Sequence, residues 1–182
     1  MKNIILEHYI HQDNLVKEIS NGDKYIWGAG YGIPYNNLVR FQEGESPGIF
    51  WGYEADGIFQ NQSEVNNHAI QPNAQPGDIR FVDTNGDGVV NADDRTKIGD
   101  PFADFNIGWN LNFKVYDFDL SITTYGTFGN DIFRGYERNL NYTNKPVSIL
   151  SRWTGEGTSN FEPRATFVDS NNNVRPSTRY VE

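Results

Sequence analysis

The chain has 182 residues, and its 24 acidic and 15 basic side chains give a net charge of −9. This charge argues against nucleic acid as a partner, since no basic face is available to neutralise phosphates. The absence of cysteine excludes a disulfide scaffold and a thiolate metal site. Aromatic residues make up 14% and hydrophobic residues only 37% of the sequence, a balance that favours β-structure with long polar loops.

The first half of the chain predicts two short hairpins. Residues 4–10 and 15–19 are expected to pair around a tight turn, and so are residues 37–42 and 48–54. The first strand of each pair is expected to run in the same direction as the strand that begins at Phe105, and the second in the opposite direction. The chain has no apolar run of about 18 residues, so it predicts no transmembrane helix, and its first residues do not form a signal peptide.

Residues 83–94 carry the most specific motif, Asp-Thr-Asn-Gly-Asp-Gly-Val-Val-Asn-Ala-Asp-Asp. Oxygen-bearing side chains recur at loop positions 1, 3, 5, 9 and 12, and Gly88 occupies position 6, where a calcium loop turns sharply. Calcium takes about six to eight oxygen ligands, many of which one short loop can supply. The candidate ligands are Asp83, Asn85, Asp87, the backbone carbonyl of Val89, Asn91 through a water, and Asp94.

The loop departs from the EF-hand pattern at its last position, where the shorter Asp94 replaces a bidentate Glu. In this form it resembles the calcium loops of dockerin modules and of other secreted bacterial proteins. The motif predicts a structural Ca²⁺ that neutralises the close-set acidic side chains. The alternative is a turn-rich loop of Asx and Gly residues that needs no metal.

The clearest structural signal is an alternation of apolar and polar residues over positions 105–128. Its parity changes after Tyr116 and Asp117, as a two-residue hairpin loop requires, and a four-residue loop would preserve the same parity. The predicted register pairs Val115 with Phe118 on the apolar face and Lys114 with Asp119 on the polar face. The side chains predicted to face lipid are Phe105, Ile107, Trp109, Leu111, Phe113, Val115, Phe118, Leu120 and Ile122.

Each strand of this hairpin is expected to run for roughly 11 residues, the length of an outer-membrane barrel strand rather than of a mean soluble one. A soluble sandwich would bury the apolar face, whereas a barrel would present it to lipid, and alternation alone leaves both open. The short turn and the long flanking segments favour the barrel. If the turn is periplasmic, the strand entering at Phe105 descends, and the calcium loop is extracellular.

Aromatic residues in the two predicted outer loops are the weakest candidates for ligand contacts. Stacking on sugars or peptides is one interpretation, and loop packing or contact with a partner protein is the other. An enzyme is not indicated, since the three histidines are scattered and no nucleophile arrangement occurs. The candidate substrate-binding side chains are Trp27, Tyr31, Tyr35, Phe133, Tyr136 and Tyr142.

Six blocks in a fixed order carry a family resemblance. They are GIFWGYEADGIFQ at 48–60, PGDIRFVD at 76–83, DRTKIGDP at 94–101, YDFDL at 116–120, GNDIF at 129–133 and SRWT at 151–154. Each block alone is weak, but the ordered set, over residues 21–179, resembles the SusC/RagA family of TonB-dependent outer-membrane transporters.

The resemblance implies an all-β fold, with about six antiparallel strands of a large transmembrane barrel of about 22 strands. It implies the outer membrane of a Gram-negative bacterium, energy from TonB, a SusD-like surface lipoprotein as partner, and an oligosaccharide or peptide ligand. Residues 1–182 are then expected to be a partial barrel without the plug, the TonB box, the signal peptide and the closing strands. The alternative function is a soluble, secreted calcium-binding module for adhesion or scaffolding.

Overall fold

The computed structural model describes residues 4–20, 22–28, 37–135, 144–167 and 172–182. Antiparallel strands dominate these residues, and the predicted all-β class is confirmed. The strands are β1 (Ile4–His11), β2 (Tyr25–Trp27), β3 (Val39–Gln42), β4 (Ile49–Gly52), β5 (Ala55–Ile58), β6 (Ile79–Phe81), β7 (Thr96–Gly99), β8 (Phe105–Val115) and β9 (Phe118–Phe128). The helix α1 covers Gln62–Asn67, and 3-10 helices cover Ala92–Asp94, Val147–Ser151, Asn172–Val174 and Thr178–Tyr180.

The hairpin of β8 and β9 has the predicted turn and register. Each strand has 11 residues, and the pairs Val115–Phe118 and Lys114–Asp119 both form. The nitrogen of Lys114 lies 3.1 Å from a carboxylate oxygen of Asp119. Tyr116 adopts a φ of 51°, in the left-handed region, so an aromatic residue accepts a backbone that favours glycine or asparagine.

The strand β1 pairs antiparallel with β8, from Ile4 opposite Asn112 to His11 opposite Phe105. Together β1, β8 and β9 form the ribbon sheet, in that order. The direction predicted for residues 4–10 is wrong, because the antiparallel neighbour of a descending strand must ascend. The chain therefore leaves β1 at the end of the sheet where it later enters β8.

The predicted strand at residues 15–19 is absent, because the chain leaves the ribbon sheet at this point. The Gln12 N–H donates to the Asp104 carbonyl at the end of the sheet. Farther along, the Val16 N–H donates to the Glu45 carbonyl over 2.9 Å. Residues 12–19 therefore connect the ribbon sheet to the turn between β3 and β4.

The remaining strands form two small sheets. One contains β2, β3, β4 and β7 in that order, and the other pairs β5 with β6. These strands have only three or four residues, whereas about nine to eleven are needed to cross a bilayer. The predicted pairing of β3 with β4 is confirmed, but both lie outside the ribbon sheet. Three strands, rather than the six expected, therefore belong to the ribbon sheet within the described part of the chain.

The hydrophobic core lies between the small sheets and the C-terminal segments. We call this packed body the loop unit; it comprises the described residues between 12 and 104 and between 129 and 182. One core cluster contains Tyr53, Ile79, Phe81, Val90 and Tyr180, and a second contains Leu38 and Ile98. The ring of Phe133 packs against both clusters. The described ranges include no helix with the length and apolar character needed to span a bilayer.

A buried polar network joins the C-terminal segment to β6. Asp78, which is 1% exposed, accepts a hydrogen bond from the Arg164 Nε over 2.7 Å and another from the Asn173 amide over 3.1 Å. The Asn173 side-chain oxygen accepts from the Ile79 N–H over 2.8 Å. Because these partners are about 90 residues apart in sequence, the network fixes the tertiary arrangement of the loop unit.

Close backbone contact fixes the C-terminal segment against β4. The Tyr53 N–H donates to the Pro176 carbonyl over 2.9 Å, and the Thr178 N–H donates to the Tyr53 carbonyl over 3.0 Å. At Gly52 a Cβ atom would clash with the Pro176 carbonyl, so only glycine allows this approach.

We expect Asp78→Asn to destabilise the loop unit by about 3 kcal/mol, because it leaves the Arg164 guanidinium in a largely buried site without its carboxylate. Thermal unfolding monitored by tryptophan fluorescence would measure this. The matched control is Asp56→Asn, whose carboxylate is 66% exposed and pairs with Arg80, and whose effect should stay below about 1 kcal/mol. Equal effects of the two variants would contradict a structural role for the buried network.

Candidate functional site

The loop at residues 83–94 folds through hydrogen bonds from its own backbone to its acidic side chains. The two carboxylate oxygens of Asp83 accept from the Gly86 and Gly88 N–H groups, each over 2.8 Å. Asp87 accepts from the Val89 N–H over 2.8 Å. Gly88 has a φ of 86°, so position 6 makes the sharp left-handed turn that the sequence predicts.

Position 8 of the loop anchors it to the core of the loop unit. Val90 is fully buried in the cluster that contains Phe81. Its backbone and that of Gly88 pair with Ile70, through hydrogen bonds of 3.0 and 2.8 Å. The loop is therefore held by a short β-bridge and one apolar side chain, while Asn85 and Asp87 remain exposed.

Asp94 closes the loop from inside. It is fully buried, and its oxygens accept from the Thr84 and Asn91 N–H groups over 2.9 and 2.8 Å. Burial acts to raise the pKa of Asp94, but backbone donors at Asn91, Asn85 and Thr84 outweigh it and hold the pKa below its usual value. Asp94 therefore has a structural role as a charged acceptor, whatever else the loop binds.

The loop offers calcium the right kind of donors. Carboxylate, amide and backbone oxygens are the hard ligands that Ca²⁺ prefers, and Gly88 makes the turn that the motif requires at position 6. In the described ranges, no three Asp, Glu or His side chains converge as a metal-binding group. The loop carboxylates instead accept hydrogen bonds from backbone N–H groups. The donor set therefore fits calcium by its chemistry, while its carboxylates are engaged with the backbone of the loop instead of converging on one point.

The apolar face of the ribbon sheet is not covered by the loop unit. Along β9 every residue except Gly126 is exposed. Phe118 is 83% and Leu120 52% exposed, and Ile107, Phe113 and Ile122 are also exposed. Phe105, Trp109 and Leu111 are half-buried by their neighbours in the sheet. A soluble sandwich would have buried this face.

The opposite face of the ribbon sheet is a ladder of polar side chains. Ser121 donates to the Asn112 amide oxygen over 2.7 Å, and Thr123 donates to the Asn110 amide oxygen over 3.4 Å. The Lys114–Asp119 ion pair continues the ladder towards the turn. Apolar and polar side chains therefore separate between the two faces of β8 and of β9 from Phe118 to Thr123, as in an outer-membrane barrel.

The candidate substrate-binding residues are not brought together within the described part of the chain. Trp27 is half-buried beside Tyr25, with ring centroids 5.5 Å apart. Phe133 packs against Phe50 and Tyr180, each at 5.9 Å, so core packing accounts for its aromatic character. Tyr31, Tyr35, Tyr136 and Tyr142 lie outside the described residues.

One functional candidate was not found from the sequence: a layer of arginine and aromatic side chains on β2, β3 and β4. The Arg40 guanidinium lies 3.7 Å from the centre of the Tyr25 ring and 3.8 Å from that of Trp51. Arg95 lies 5.1 Å from the Trp27 ring. Only the pairing of three separate strands creates this layer, so no local pattern could have revealed it.

A polar cleft lies beside α1 and the loop at 156–160, and its charged side chains have partners nearby. Arg80 lies 3.1 Å from Asp56 and 3.6 Å from Glu64. Glu156 accepts from the Asn61 amide over 2.7 Å. The cleft therefore resembles a structural ion-pair cluster more than a ligand site.

A two-faced ribbon with a short turn at one end and a large folded loop unit at the other is typical of an outer-membrane β-barrel protein. No protein-family model matches the chain. Its curated relatives include three TonB-dependent receptors of Formosa agariphila, named P3, P26 and P39. The identities are 27%, 31% and 28%, over 94%, 79% and 96% of this chain.

The chain spans between 15% and 20% of the length of these relatives. The resemblance to part of a TonB-dependent receptor is therefore confirmed. Receptors of this class are outer-membrane transporters of Gram-negative bacteria and not enzymes, in agreement with the location and the non-catalytic role predicted from the sequence.

We expect Asp94→Ala to destabilise the loop by about 1–3 kcal/mol in calcium-free buffer, because the Thr84 and Asn91 N–H groups lose their acceptor in a buried site. Amide hydrogen exchange at residues 83–94 would measure this loss. Asp93→Ala is the matched control, since Asp93 is exposed. Unchanged protection in Asp94→Ala would show that the side chain does not hold the loop closed.

Proposed function

We propose that the chain is a segment of a TonB-dependent importer of the SusC/RagA type, in which the ribbon sheet crosses the outer membrane. The exposed apolar face of β8 and β9 is the observation that carries this proposal, because such a face needs a nonpolar surrounding. The three receptor matches support it independently.

The proposal gives the chain an orientation. Barrels of this kind have short periplasmic turns and long extracellular loops. The turn at Tyr116 and Asp117 has two residues, whereas β1 and β8 are joined by residues 12–104. The turn is then periplasmic and the loop unit extracellular, with the polar ladder on the lumen side.

The partners of the whole receptor follow from the same proposal. TonB supplies energy to the receptor, and a SusD-like lipoprotein meets its extracellular side. An oligosaccharide or peptide is the transported ligand. The loop unit is the part of this chain that lies where such a lipoprotein or ligand would arrive.

We further propose that the loop at 83–94 binds a structural Ca²⁺ on the extracellular side. Asp83, Asn85, Asp87 and Asp94 supply the charge and the oxygen ligands, with Val89 and Asn91 completing the set. The ion would neutralise these acidic side chains in a chain whose net charge is already −9. The anchored position of Val90 would couple the bound ion to the core of the loop unit.

The alternative is a soluble calcium-binding module. A soluble module would not leave the apolar face of two 11-residue strands exposed to water, as the loop unit leaves it here. Monodisperse, cooperatively folded protein in the absence of detergent would favour this alternative over the importer.

We expect Leu111→Lys to lower the stability of the receptor in a bilayer by about 2–4 kcal/mol, because it places a charge near the middle of the lipid-facing strand. Heat-modifiable gel mobility and folding titrations in lipid vesicles would measure this. Asn110→Lys, one residue away on the polar face, is the depth-matched control and should insert normally. Normal insertion of both variants would count against the lipid-facing assignment.

We expect Asp87→Ala to abolish calcium binding, since it removes a central ligand from an exposed position. Calorimetry with CaCl₂ would measure this on the receptor in detergent, after treatment with a chelator. Asp56→Asn removes an exposed carboxylate elsewhere and serves as control. An unchanged calcium affinity in Asp87→Ala would refute the site.

A further inference from the structure

Two arginines of the loop unit combine the lack of a carboxylate partner with a buried, unpaired Nε, although acidic residues exceed basic ones by 24 to 15. They are Arg40 on β3 and Arg95 just before β7. Within the described residues, neither forms an ion pair, and the Nε of each is buried without an acceptor. Arginine has five N–H donors, and because Nε is closed off from solvent, an acceptor arriving from outside can meet only the terminal Nη groups.

The Arg40 side chain is held by rings instead of by hydrogen bonds. Its guanidinium is sandwiched between Tyr25 and Trp51, at 3.7 and 3.8 Å from the ring centres, and lies 5.8 Å from Trp27. The sandwich fixes the plane and direction of the guanidinium without using its N–H groups. Burial lowers the pKa of Arg40, although a guanidinium still keeps its proton at neutral pH.

Arg95 differs from Arg40 in how its donors are used. Its Nη2 donates to the Asn37 carbonyl over 2.5 Å and to the Trp51 carbonyl over 2.7 Å. Arg95 therefore ties the start of β3 to the end of β4 and adds positive charge beside Arg40. Arg40 makes no such bond to the described residues, so it is the arginine with donors to offer a ligand.

We propose that Arg40, positioned between Tyr25 and Trp51, binds the carboxylate group of an acidic oligosaccharide. A carboxylate matches the planar fork of a guanidinium with two parallel hydrogen bonds. Tyr25 is 40% exposed and Trp27 is half-exposed, so ring surface remains beside the arginine for the apolar side of a sugar ring.

The position of Arg40 favours a saccharide over a peptide. The strand β3 is paired on both sides, with Trp27 opposite Arg40 on β2 and Ile49 opposite it on β4. Its backbone groups are therefore used by the sheet and cannot pair with an extended peptide, which is how peptides add to sheet edges. A ligand on this face meets only side chains, and these offer ring faces and guanidinium donors.

This inference narrows the ligand class of the proposed importer and rests on the loop unit being extracellular. Its test is separate from that of the importer, because ligand binding to the loop unit and bilayer insertion of the ribbon sheet are measured independently. Loss of binding in an Arg40 variant that inserts normally would concern the ligand site alone.

The experiment is calorimetry on the receptor that contains this chain, in detergent at low salt. The probes are trigalacturonate and its fully methyl-esterified form, which has the same rings without the charges. We expect the acid to bind the wild-type receptor at least about tenfold more tightly than the ester, and salt to weaken binding of the acid. Equal affinities of acid and ester would overturn the proposal without any variant.

Two substitutions test whether Arg40 is responsible for the preference for the acid. We expect Arg40→Gln to remove the preference for the acid, and Arg40→Lys, which keeps the charge but loses the fork, to reduce it. Arg152→Gln makes the same charge change elsewhere in the loop unit, where Arg152 contacts the Ile149 carbonyl, and should leave the preference intact. Circular dichroism verifies that each variant is folded. If Arg40→Gln does not fold, Arg40→Lys alone tests whether Arg40 sets the preference for the acid.

Three results would overturn the assignment. One is a preference for the acid that survives in both Arg40 variants. Another is a preference that Arg152→Gln removes equally, which would reflect general charge. The third is binding of triglutamate but not of trigalacturonate, which would make the ligand an acidic peptide.

Discussion

The antiparallel pairing of β1 with β8 is the constraint on which the rest of the structure depends. It brings Gln12 and Asp104 together at one end of the ribbon sheet. Residues 12–104 are therefore one long connection that leaves the sheet and returns to it at that end. The small sheets, the helix and the calcium-type loop are therefore insertions between two neighbouring strands. They are not further strands of the same sheet, which explains why they are short and pack into a core of their own.

The loop unit and the ribbon sheet satisfy opposite physical demands. In the loop unit, apolar side chains such as Phe81 are buried, and buried charges such as Asp78 have partners. In the ribbon sheet, the backbone is paired within the sheet while apolar side chains such as Phe118 remain open. The loop unit is suited to water, whereas the apolar face of the ribbon sheet is suited to hydrocarbon. The two bodies therefore indicate two different surroundings.

The ionic groups of the loop unit differ in whether they have partners. Buried ionic groups have local partners, as Glu162 has in Arg179, and the charged Asp94 is stabilised by backbone donors. The acidic loop at 83–94 and the Arg40 layer differ, since one gathers negative charge and the other leaves positive charge without a carboxylate.

The sequence by itself determined the features that depend on near neighbours. Alternation over positions 105–128 was enough for the hairpin and for the parity of its loop, and the structure confirms the two-residue turn and the predicted register. The spacing of Asp83 to Asp94 likewise identified a loop whose glycine at position 6 turns as expected. Helix α1 was missed, although Asn61 followed by Glu64 is a recognisable capping pattern.

Only the tertiary structure decided which strands are neighbours. Short strands such as β3 and β4 carry the same alternation whether they lie in a barrel or in a small sheet, so their sequence could not distinguish the two. The direction of β1 also depended on its distant partner, β8. The Arg40 layer depends on side chains from β2, β3 and β4, and contacts of this kind follow from the packing of distant segments rather than from any local pattern.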